Sequence, residues 1–120
     1  MRFFRSDRVA SLIQRELGTL MLREVELPGI IATITEVLVS KKLETARVRM
    51  SFLPSEKAAD ALKSLNRMRG KLQFLLTRTL NIKPMPQIMF EIDRGPENAA
   101  NVEKVLLKEE QHMHGSSDAL

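Results

Sequence analysis

Cysteine is absent from the 120-residue chain, which excludes a disulfide framework, a thiol nucleophile and a Cys-based metal site. That absence fits a reducing compartment. Histidine is scarce: His112 and His114 are the only two, both near the C-terminus. Two such residues, with no cysteine and no capped element between them, do not suggest a metal site. Carboxylates are scattered instead of paired across an evident pocket, so no catalytic residue, metal, cofactor or enzyme activity is expected. The opening MRFFRSDR lacks the apolar run of about 7 to 15 residues that a signal peptide needs. No stretch approaches the ~18 apolar residues of a membrane span. The reading is a soluble, cytoplasmic protein without a membrane partner.

What is abundant is positive charge, unevenly placed. The chain has nineteen Lys/Arg against fifteen Asp/Glu. Through Lys83 the counts are sixteen and eight; from Pro84 onward they are three and seven. A basic body followed by an acidic C-terminal segment suits a polyanion partner, although basic surfaces also arise for solubility alone.

The hydrophobic pattern predicts six main elements. Ser6 and Asp7 offer an N-cap to an amphipathic helix carrying Val9, Leu12, Ile13, Leu17, Leu20 and Met21, ending near Arg23. After the break at Leu27-Pro28-Gly29 the period becomes two: Ile31 to Val39 forms one strand. Ala46, Val48, Met50 and Phe52 mark the apolar face of a second, with Arg47 and Arg49 opposite and a hairpin at residues 41 to 44. Pro54 ends that strand and Ser55 can cap a helix whose stripe is Ala58, Ala61, Leu62, Leu65 and Met68, resuming at Leu72, Leu75 and Leu76. Gly70 stands at the join. A mid-helix glycine costs about 1 kcal/mol relative to alanine, so the segment is split into two helices meeting near Gly70. Alanine there is expected to harm stability or binding. Pro84 and Pro86 precede a third strand through Ile88, Phe90 and Ile92, followed by a weakly amphipathic acidic helix with Val102, Val105 and Leu106 inward, then a disordered tail.

Around Gly70 the basic residues Arg67, Arg69, Lys71 and Arg78 cluster. On a helical wheel Lys71, Phe74 and Arg78 fall together. Such a stripe suits RNA, with charges meeting phosphates and the ring stacking on an unpaired base; the plain reading is a solvated face with one exposed Phe. Arg47 and Arg49 either meet phosphate or pair with acidic neighbours such as Glu36. Arg2, Arg5 and Arg8 form a basic arm or a frayed N-terminus, and Arg8 and Arg15 share the polar side of the first helix.

An α-β-β-α-α-β order is the layout of type II KH-like domains. The sequence resembles the ribosome-binding factor A family through Arg8-Val9, Val37-Leu38-Val39-Ser40 with Leu43, Ala46-Arg47-Val48, Gly70 with Leu72, and the run from Pro86 to Asp93. The resemblance covers roughly residues 5 to 107. It implies an α+β, KH-like fold in which the usual Gly-x-x-Gly clamp is replaced by a helix kink, with Met68-Arg69-Gly70 at its place. Gln73 stands where the family often has arginine, leaving Lys71 or Arg78 to replace that phosphate contact. The organisation implied is a KH-like RNA-binding domain over residues 1–93 and a C-terminal helix with a flexible tail over residues 94–120.

The function implied is non-catalytic: binding of the free small ribosomal subunit, near the decoding region, assisting late maturation and 5′-end processing of 16S rRNA and growth in the cold. The expected partners are the small subunit and its 16S rRNA, with ribosomal proteins or other assembly factors, and the chain acting as a monomer. The RNA-binding set adds Lys83 to the arginines, Gly70, Lys71 and Phe74 already named. Two other readings stay open: a helix-turn-helix DNA-binding module around Gly70, and a protein-interaction domain using the apolar, acidic C-terminal segment.

Overall fold

Four of the six expected elements, the first helix and the three strands, are found where the hydrophobic period changes, and the two central helices are one. The structure, a computed structural model, describes residues 5–95. Arg2, the C-terminal segment with Val102, Val105 and Leu106, and the two histidines lie outside the described residues.

Helix α1 (Arg5–Glu24) buries Val9, Ile13, Leu17 and Leu20, the stripe that three- and four-residue spacing predicts. It already includes Arg5, so Ser6 is a buried residue of the first turn instead of the cap expected from its type. Strands β1 (Ile31–Val39) and β2 (Thr45–Leu53) pair antiparallel. In the hairpin Leu43 takes a left-handed conformation, φ 59°, while its side chain is buried. That backbone costs a non-glycine residue roughly 1–2 kcal/mol, and burying a leucine returns about 1.5–3 kcal/mol. The Ser40 hydroxyl holds the turn by accepting the N–H groups of Glu44 and Thr45 at 2.9 and 3.1 Å.

β1 does not alternate cleanly, and the register shows why. Ile34 pairs with Met50 but Glu36 pairs with Arg49, leaving Thr35 as the extra residue of a bulge. The inward set therefore changes parity. Ala32 and Ile34 are half-buried before the bulge; Val37 is buried and Val39 half-buried after it.

After Pro54, Ser55 opens a short 3-10 turn (Ser55–Lys57) and makes no side-chain cap. Helix α2 (Ala58–Leu80) then runs for 23 residues straight through Gly70. The two-helix expectation is corrected here: one helix stands where two were read. The local cost of glycine is not the deciding quantity. Leu65, Leu72 and Leu76 are completely buried on either side of it. At about 1.5–3 kcal/mol each, their burial outweighs the ~1 kcal/mol of a helical glycine. A Cβ at Gly70 would meet nothing within 4 Å, so steric need does not explain the residue. Asn81, at φ 51°, closes α2 with its N–H on the Thr77 carbonyl, a left-handed cap that asparagine tolerates.

Strand β3 (Gln87–Ile92) lies parallel to β2, giving the order β1-β2-β3. α2 is the crossover that a parallel return requires. Both helices pack on one sheet face, over Val37, Ala46, Val48, Met50, Phe52, Ile88 and Phe90. Among the described residues no element covers the other sheet face. Among the described residues no helix is long and apolar enough to cross a membrane.

Candidate nucleic-acid interface

Two contacts tie the helices together antiparallel. Arg5 Nη2 donates to the Lys83 carbonyl at 3.1 Å, and Lys71 Nζ lies 3.2 Å from Glu24 Oε2. Because Ala58, Ala61, Leu65, Leu72 and Leu76 turn inward, a 3.6-residue repeat sends Lys63, Arg67, Gly70, Phe74 and Arg78 outward. All five are exposed. Phe74 is 60% exposed, and the Arg78 guanidinium carbon sits 5.7 Å from its ring centroid. This cation–π contact, worth about 0.5–1 kcal/mol at an exposed site, holds a flat apolar ring beside a positive charge. Gly70 leaves a gap in the row one turn from Arg67 and one from Phe74.

α2 carries five Lys/Arg against one Asp. Lys63, Arg67, Arg69 and Arg78, with Arg8 and Arg15 on α1, make no ion pair with any described residue. Arg69 is set apart on the β3 side, where it lines a cleft of about 640 Å³ with Asn66, Glu44, Gln87 and Met89. Lys71 is part of the helix–helix tie, in a half-exposed pair of the kind worth about 0–1 kcal/mol.

Arg47 and Arg49 lie elsewhere, on the sheet face away from the helices, and there the acidic pairing is realised. Arg47 grips Glu91 with both Nε (3.2 Å) and Nη2 (2.7 Å), and this hydrogen bond raises its pKa further. Arg49 stands among three carboxylates: Glu91 at 3.2 Å, Asp93 at 3.5 Å and Glu36 at 3.9 Å. Its Nε is close to Glu91 but misaligned, so that buried N–H has a charge contact without a hydrogen bond. Asp93 accepts the Thr35 hydroxyl at 2.7 Å and the Gly95 N–H at 2.9 Å. These bonds, the hydroxyl first, hold its carboxyl below the ordinary range. Two arginines against three acids make this cluster net negative, the wrong sign for a phosphate face.

Two residues went unnoticed at the level of sequence. Lys63 extends the outward row, and its spacing of four from Arg67 was the available signal. Gln73, read only as a missing arginine, is a structural clip: its amide accepts the Ile88 N–H at 2.8 Å and donates to the Pro86 carbonyl at 3.0 Å.

The ribosome-binding factor A family model matches residues 5–106. A ribosome-binding factor A of Pseudomonas syringae pv. syringae is 31% identical, the match covering 98% of this chain and 91% of that protein. One of Xanthomonas euvesicatoria is 29% identical over 87% of this chain and 81% of its own. The crystal structure of ribosome-binding factor A from Thermus thermophilus superposes with a TM-score of 0.60 at 21% identity, covering 77% of this chain and all of that one. A Thermus thermophilus homology model fitted into a map of a complex of that factor with the 30S subunit gives 0.60 at 24% identity, over 70% and 90% of the two chains. At those identities the structural likeness speaks for the α+β fold.

Proposed function

We propose, from the premise that this chain belongs to the ribosome-binding factor A family, that it binds the free 30S subunit and assists late maturation and 5′-end processing of 16S rRNA as a non-catalytic factor. The fold is then a KH-like variant in which the two central helices are fused into α2. The observation that carries the reading is the exposed row Lys63, Arg67, Phe74 and Arg78, whose charges have no acidic partner among the described residues. Its cations meet phosphates of a folded rRNA site while the Phe74 ring stacks on an unpaired base. Arg8 and Arg15 add exposed positive charge on α1, Arg15 on the side that faces the β1 edge. The protein acts in the cytoplasm, as a monomer, beside ribosomal proteins or other assembly factors. A helix-turn-helix reading has lost its premise, since α2 has no turn at Gly70.

The test is binding to purified free small subunits as salt is raised. With roughly four to six phosphates neutralised at ~0.7 to 0.9 each, the log–log slope is about −3 to −5. A flat response overturns the reading.

A further inference from the structure

Between α1 and the edge strand β1 runs a groove of about 660 Å³ whose apolar wall is Met21, Leu22, Val25 and Ile30. Leu22 is 90% exposed, so the rim offers a large apolar side chain to water. On the strand side Ala32, Thr33 and Ile34 all line the groove. Successive residues of a strand point to opposite faces, so three in a row meet one groove only where it opens onto the strand's edge. We propose that this groove docks an extended segment of another protein, added as a fourth strand beside Ile31 to Ile34. In either chain direction the segment carries apolar side chains two residues apart and a carboxylate two residues further along.

Backbone, shape and charge each argue for that occupant. β1 is an outer strand of the sheet, and in an antiparallel pair each strand turns the N–H and C=O of alternate residues toward its neighbour. The remaining polar groups of its backbone face outward, with no described strand beside them. An added strand supplies partners for them; a helix, whose backbone bonds are internal, does not. Gly18 lowers the helix wall between Arg15 and Leu22, and a Cβ there would meet nothing within 4 Å. A chain can therefore lie in the trough between helix and strand. Arg15 is the only charged residue lining the groove, and it makes no ion pair with any described residue. It calls for a carboxylate. The helical path continues to Val25, whose N–H bonds the Met21 carbonyl, so Arg15 and Val25 are separated by about 15 Å along the axis. Four to five strand residues at ~3.3 Å cover that distance, which sets the spacing from the first apolar side chain to the carboxylate. The bulge at Thr35 ends the regular register and keeps the added strand short. A single cation among apolar walls suits a polypeptide better than a chain of phosphates.

The test is selection of random nine-residue peptides, displayed on phage, against the whole 120-residue chain, with sequencing of those retained. The enriched peptides should share the spaced apolar and acidic pattern and lose more than tenfold in affinity for Leu22→Asp, a change at an exposed position that the fold tolerates. Gly18→Leu fills the trough and should block them while the melting temperature stays level or rises, since leucine is the better helix former. Replacing the peptide's carboxylate by an amide should weaken binding to the unaltered chain by up to about fivefold and make no difference to Arg15→Gln. Hydrogen exchange at Ala32 to Ile34 should slow when peptide is bound, and methylating the peptide's alternate amide nitrogens should abolish binding. No enrichment overturns the proposal. So does an enriched pattern of helical three- and four-residue spacing, or binding indifferent to Leu22→Asp, to Gly18→Leu or to amide methylation. Self-association that Leu22→Asp removes would overturn it too, by giving the groove to a second copy of the chain. None of these outcomes touches the salt dependence of small-subunit binding, because the row on α2 does not line the groove.

Discussion

The outer side of the helix layer and the outer side of the sheet both carry arginines, yet they are chemically opposite. On α2, Arg67 and Arg78 stand beside Phe74 with no carboxylate partner among the described residues; on the sheet, Arg47 and Arg49 are enclosed by Glu36, Glu91 and Asp93. An arginine count therefore says little about where a polyanion binds. What matters is whether the fold brings acids to the same place. The helix face leaves its charge without an acidic partner among the described residues, and the sheet face uses its arginines to link three strands.

The largest effect expected on this contrast comes from reversing charge. Arg67→Glu with Arg78→Glu should weaken small-subunit binding by about 3 kcal/mol or more, since a hydrogen bond to a charged group contributes about 1.5–3 kcal/mol. The salt slope should become shallower by about 1.4 to 1.8, with the melting temperature little changed. Arg47→Glu should do the reverse, lowering stability and leaving the slope alone. Equal loss of binding from both would erase the distinction between the faces.

Gln73→Ala comes next. Gln73 belongs to α2 but serves β3, so its loss strands the Ile88 N–H and the Pro86 carbonyl. Denaturant unfolding should show a loss of about 1–3 kcal/mol, without a matching change in the salt slope. Gly70→Ala has the opposite sign. In a continuous helix with open space for a Cβ, it should stabilise the protein by about 1 kcal/mol. Weaker subunit binding by the same variant would place nucleic acid against that gap.

The smallest effect belongs to Asp93. Its folded pKa lies below the unfolded value near 3.8, so its contribution is present above that value and fades as pH falls through the folded one. Thr35→Val removes the main cause, and a carboxyl titration followed by NMR should show the Asp93 midpoint move up. An unmoved midpoint would mean that the Thr35 bond does not bias the carboxyl.

Strand positions were legible because period two survives in β2 and β3, where inward residues are Ala46, Val48, Met50, Phe52, Ile88 and Phe90. β1 was blurred by its bulge, which shifts the inward set by one residue at Thr35. The continuity of α2 was hidden for a different reason. Gly70 advertises a local penalty, while the burial that overrides it depends on packing no local window contains. The arginines were visible as charges, but the partners of Arg47 lie 44 residues away and depend on how β3 registers against β2. Gln73 was invisible as a clip because an amide's backbone partners, 13 and 15 residues on, leave no mark in residue type.

A three-stranded sheet has two rims, and an unpaired rim is a template on which another chain's strand can grow. Here the β3 rim is already occupied at its first rung by the Gln73 amide, a side chain standing in for a neighbouring backbone. The β1 rim is interrupted by Thr35, so its straight run extends only from Ile31 to Ile34 before the ladder slips. Neither rim presents the long, regular row of donors and acceptors that cross-β stacking requires. One glutamine and one bulged threonine thus shorten the edges on which the common hazard of small sheets, edge-to-edge strand pairing, would start.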